Sequence, residues 1–83
     1  MPTREEVYKV VDSERDYQNS LGGNRTDGSS KTAGEYLIMI DHYLSHAKEV
    51  WTANPGIKMA LHDIRKIAGI AVRCMEEHGA PKR

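Results

Sequence analysis

The sequence predicts an all-α protein: an antiparallel hairpin of two long helices with a further N-terminal helix, assembled as a homo-oligomer. Three observations carry this expectation. Thr3 with Glu6, and Thr32 with Glu35, each have the Thr-x-x-Glu spacing of a capping box, in which hydroxyl and carboxylate satisfy two otherwise orphaned amides. Apolar residues recur at helical spacing along three stretches. No stretch alternates apolar and polar residues with β-branched enrichment, so no strand is expected.

The first helix is placed at about 3–21, ending at Gly22-Gly23. Val7, Val10 and Val11 begin its inward stripe, and Tyr17 and Leu21 continue it. Glu14 and Gln18 fall on the same face, where a carboxylate and an amide are costly unless paired and hydrogen-bonded. Residues 22–31 are rich in Gly, Ser, Asn and Asp, lack periodicity, and are predicted to form a loop. The second helix spans about 32–53, with Tyr36, Met39, Ile40, Tyr43, Leu44, Ala47, Val50 and Trp51 as its apolar face. Asn54-Pro55, a cap residue followed by the proline that suits a first helical position, opens a third helix at about 55–78. Its inward face is expected to be Ile57, Leu61, Ile64, Ile67, Ala68, Ala71, Val72 and Met75, with Gly79 as its stop. Ile38, Met59 and Ile70 lie off these stripes, where they suit a subunit interface.

The 83 residues make a single domain near the lower size limit for a self-sufficient core. Such a scaffold needs a staple, and Cys74, the only cysteine, rules out an intrachain disulfide. Oligomerisation is the remaining candidate. A lone thiol suits a reducing, cytoplasmic setting. Twelve basic and twelve acidic residues cancel, so there is no electrostatic footprint for general nucleic-acid binding. No apolar run reaches the length of a membrane span.

Two clusters could carry chemistry. On the first helix, Gln18 can read a base or ribose edge, Tyr17 can stack, Arg15 can contact phosphate, and Glu14 can orient an arginine or accept a ribose hydroxyl. The structural alternative is a buried pair between Glu14 and an arginine of the third helix. On the third helix, Lys58, His62, Arg65, Lys66 and Arg73 form a basic ridge around Gly69, where arginine can hold phosphate bidentately. The alternative is a solvated face that pairs with Glu5, Glu6, Asp12 and Asp16. The glycine-rich loop lacks the Lys-Ser/Thr ending and the preceding strand of a P-loop, although Arg25 or Lys31 could still close over an anion. His42 and His46, four apart with Glu49 nearby, have metal-ligand spacing but no further ligand pair close in sequence. No catalytic constellation emerges, and neither a metal nor a cofactor is required.

Glu14-Arg15-Asp16-Tyr17-Gln18, Gly34-Glu35-Tyr36-Leu37, Ile64-Arg65-Lys66-Ile67-Ala68 and Cys74-Met75-Glu76-Glu77-His78-Gly79-Ala80-Pro81 together resemble a family of small phage-encoded helical proteins. Proteins of this build and setting resemble anti-defence sponges, compact oligomers that sequester nucleotide signals of CBASS or Thoeris immunity. The resemblance implies a non-enzymatic nucleotide binder in the cytoplasm of an infected bacterium, with Glu14, Arg15, Tyr17, Gln18, Arg65, Lys66 and Arg73 as ligand contacts. Two other readings are an inhibitor that binds a host protein and a MazG-like pyrophosphohydrolase. The Glu-Arg-x-x-Gln pattern is weakly similar to the latter, but its metal-binding Glu-x-x-Glu is missing, since no two glutamates stand three apart.

Overall fold

The computed structural model describes residues 1–21, 31–53 and 56–83. It contains three helices, α1 (Arg4–Ser20), α2 (Ala33–Trp51) and α3 (Gly56–His78), and no strand among the described residues. Both capping boxes form: Thr3 and Thr32 each accept the N3 amide, and Glu6 and Glu35 each accept the amide of the cap residue. Gly79 follows α3 with φ at 115°, a left-handed conformation that glycine adopts without strain. Asn54-Pro55 and most of the 22–31 loop, including Arg25, lie outside the described residues.

α3 is the central element. α2 packs closely along it and α1 packs on it as well, but α1 makes no close backbone approach to α2. α3 is therefore the floor of a cleft whose walls are the other two helices.

The α2–α3 seam differs from the expected one. Ala60, Asp63, Ile70 and Arg73 are the inward residues of α3, joined by Gly56 and Gly69. Ile70, expected off the core, is only 3 % exposed, whereas Leu61 and Ile64, expected inside, are 54 % and 53 % exposed. Ile57 and Met75 are exposed too. The reason is steric and chemical together. Where α3 leaves the end of α2 the fit is tight: a Cβ at Gly56 would lie 2.5 Å from the Val50 carbonyl oxygen. The polar residues brought inside are then paired, as burial requires. Asp63 accepts from His46 Nδ1 at 2.6 Å, so this histidine of α2 serves a structural pair with α3. Arg73 lies over the Tyr36 ring, 5.7 Å from its centroid, and donates to Glu77.

Tyr36, at the start of α2, is the one large side chain with no exposure among the described residues. Its hydroxyl donates to Glu77 Oε2 at 2.5 Å. One residue further, His78 packs edge-on to the same ring and its Nε2 donates to the Lys31 carbonyl at 2.8 Å. The end of α3 thus latches the beginning of α2. Burial and the bond to Glu77 push the Tyr36 hydroxyl up to about 12. The same bond, with help from Arg73, holds the Glu77 carboxyl below its ordinary value.

Candidate functional site

The seat of α1 on α3 is polar. Val11, Glu14, Arg15 and Gln18 recur at helical spacing on its inward side, and Glu14 and Arg15 are buried. Arg15 grips Glu76 with two bonds of 3.0 Å, from Nε and Nη2, and its Nη1 donates to Asn19 at 2.8 Å. Glu14 Oε1 accepts from Arg65 Nε at 2.8 Å. Glu14 Oε2 accepts from Gln18 Nε2 at 3.0 Å, and the same Gln18 nitrogen donates to the Lys66 main-chain carbonyl at 3.2 Å. The pair between Glu14 and an arginine of the third helix is therefore formed. Its partner on α3 is Arg65, and Glu5, Glu6, Asp12 and Asp16 are not the residues that pair α1 with α3. Glu6 serves the helix cap instead.

Gly69 makes this seat possible. A Cβ there would stand 2.7 Å from Gln18 Nε2 and 2.9 Å from Glu14 Cγ. The absence of a side chain on α3 lets the two polar side chains of α1 lie against its backbone.

Beside this seat, between α1 and α2, runs a cleft of about 320 Å³. α1 contributes Glu14, Tyr17, Gln18 and Leu21, while Lys66, Ile70 and Arg73 come from α3. Tyr36, Met39 and Tyr43 of α2 form the opposite wall, and Lys31, just before α2, also lines it. The Lys66 ammonium lies 5.3 Å from the centroid of the Tyr43 ring, a cation–π arrangement. The cleft is concave, largely apolar, and carries a few convergent polar groups, which is the usual make-up of a small-molecule site.

Of the seven residues expected to contact a ligand, Glu14, Tyr17, Gln18, Lys66 and Arg73 line this cleft. Arg15 and Arg65 do not. Arg15 spends its guanidinium on Glu76 and Asn19, and Arg65 spends its own on Glu14 and on His62 Nδ1, 2.6 Å away. The basic ridge is accordingly divided among separate partners. Tyr36 is the core residue the sequence predicts, fully buried behind the cleft wall, whereas Tyr43, also expected in the core, is half-buried and lines the cleft; tyrosines on the inward face of a helix carry no sequence mark that separates packing from ligand contact. Lys31, considered only as part of a closing loop, lines it as well.

Among the described residues, no group of three or more His, Cys, Asp or Glu side chains is placed to hold a metal. Among the same residues no helix is long and apolar enough to cross a membrane. No family model, curated protein or solved structure matches this chain.

Proposed function

We propose that the protein binds a nucleotide in the cleft between α1 and α2 and holds it without cleaving it, acting as a phage anti-defence sponge for an immune second messenger. The observation that carries this reading is the convergence on one cleft of two tyrosine rings, Tyr17 and Tyr43, with the amide of Gln18 and the ammonium of Lys66. Rings supply stacking, the amide reads a base edge, and lysine supplies a phosphate contact. The sequence resemblance to small phage proteins supplies the setting, the cytoplasm of an infected cell. Retention without cleavage is supported by the state of Glu14. It is the one carboxylate lining the cleft among the described residues, and Arg65 and Gln18 already occupy both of its oxygens.

The reading includes self-association. A groove between α1 and α3, lined by Val7, Val10 and Val11 on one side and Leu61, Ile64 and Ala68 on the other, is apolar. Its residues are too exposed to stabilise a small monomer, and a second copy of the chain would bury them. The same groove favours a second reading, an inhibitor that docks on a host protein through it.

A thermal-shift panel of cyclic dinucleotides, cyclic trinucleotides and cyclic ADP-ribose isomers tests the ligand. A ligand at a hundred times its Kd stabilises by about 2.7 kcal/mol, enough to raise the melting temperature by about 10 °C or more in a domain of this size. No shift from any member, with the protein assembled, removes the nucleotide reading and leaves the protein-binding one.

A further inference from the structure

Two of the polar groups that α1 presents in the cleft, Gln18 and Glu14, have one hydrogen-bonding sense. Gln18 carries two donor protons on Nε2 and one acceptor oxygen, Oε1. Both donors are engaged within the protein, by Glu14 Oε2 at 3.0 Å and by the Lys66 carbonyl at 3.2 Å. Those partners are a carboxylate and a main-chain carbonyl, which only accept. The amide therefore has one permissible orientation, since turning it over would set Oε1 against two acceptors. Its position is held as well. Gln18 lies where Gly69 leaves room against α3, and a Cβ there would come within 3.1 Å of its amide carbon.

Oε1 accepts no hydrogen bond among the described residues, and Gln18 is half-buried on the cleft wall. Glu14 next to it is again an acceptor, with a negative charge. A ligand group that meets this corner must donate.

The geometry points to a specificity rule that rests on the nucleotide reading above: the cleft selects a base with an exocyclic amino group over its oxo counterpart, and Gln18 Oε1 is the discriminating atom. An amino group donates to Oε1. An oxo group in the same place sets one lone pair against another and leaves both oxygens without the hydrogen bonds that water gave them. A site built to bond a particular polar group rejects the analogue lacking it far better than an apolar pocket rejects an extra methylene. Gln18 is thus a specificity residue, and Lys66 and the tyrosines are indifferent to the substitution because phosphate charge and ring faces are common to both bases.

Calorimetry with matched probes decides the matter: AMP against IMP, CMP against UMP, and cyclic di-AMP against its inosine analogue. The expected result is a preference for the amino member of at least about tenfold in every pair that binds, as one hydrogen bond to a half-buried group allows. In Gln18→Met, which keeps length and loses the acceptor, the ratio within a pair should fall toward one, while Lys66→Ala should weaken both members alike. Equal affinities, or tighter binding of the oxo member in the unaltered protein, would overturn the rule and leave nucleotide binding intact. Binding of neither member of any pair would overturn the rule together with the reading beneath it.

Discussion

Glu14 and Arg65 share one ion pair, but they are not buried to the same degree. The Glu14 side chain is 7 % exposed and that of Arg65 is 32 % exposed. Removing the arginine strands a carboxylate inside, whereas removing the carboxylate leaves an arginine that can turn to water. Arg65→Ala should therefore cost about 3 kcal/mol, the low end of the range for a broken buried pair, and Glu14→Ala less. Urea denaturation of both variants checks the order. Equal losses would mean that the carboxylate is solvated. A second expectation concerns pH. The Tyr36 hydroxyl is raised from 10.0 to about 12, so the folded chain holds that proton more tightly than the unfolded one. Its contribution is complete below pH 10 and is lost as the pH rises toward 12. The Glu77 carboxyl is lowered, so its contribution is present at neutral pH and fades as acid protonates it in the folded chain. Tyr36→Phe should flatten the alkaline limb of the stability profile and weaken the acid one, which melting curves across pH would record. Glu14 is inward as its phase in the sequence predicts, but most of the apolar stripe it interrupts is not: Val7, Val10, Tyr17 and Leu21 are exposed, because the seat of α1 on α3 is made by Glu14, Arg15 and Gln18. The partner of Arg15 was not: Glu76 stands 61 residues away, and nothing in either local pattern joins them.

The caps of α1 and α2 were legible because a Thr-x-x-Glu box is a local device that depends on no distant residue. The rotation of α3 was not. Hydropathy alone turns Leu61 and Ile64 inward, whereas close approach favours Gly56, Ala60 and Gly69, and the polar neighbours this brings inside are paired with His46, Tyr36 and Glu77. Hydrophobic periodicity weighs size and apolarity; it does not register pairing across two helices. Gly69 gives the sharpest test of the α1 seat. Gly69→Ala gains about 1 kcal/mol of helix propensity but pushes a methyl group into Gln18 and Glu14. Since overpacking costs about 1–3 kcal/mol, the variant should be less stable by about 1 kcal/mol net, with α1 loosened. Amide exchange along α1 faster than in the parent protein would record the loosening. A more stable variant with unchanged exchange would show that α1 does not sit there.

Among the described residues, three helices with extents of 42 × 28 × 27 Å enclose few buried apolar side chains: Tyr36, Ala47, Ala60 and Ile70. Leu61, Ile64, Val7 and Val10 remain outside along one groove. If a second copy covers that groove, Leu61→Glu or Ile64→Glu should shift sedimentation from an oligomer to a monomer and lower the melting temperature. A parent protein that already sediments as a monomer at micromolar concentration would contradict self-association. The cleft lies on another side, lined by all three helices, so binding and assembly can be separated by mutation. The central claim is that this cleft retains a nucleotide intact. Its most direct test is mass balance. Each candidate messenger is incubated for hours with the assembled protein and Mg²⁺, the bound fraction is isolated, and the protein is denatured to release what it held. The account predicts that one messenger is retained, is recovered chemically unchanged, and is lost from Lys66→Ala. Accumulation of a cleavage product, or no retention of any candidate, would contradict it.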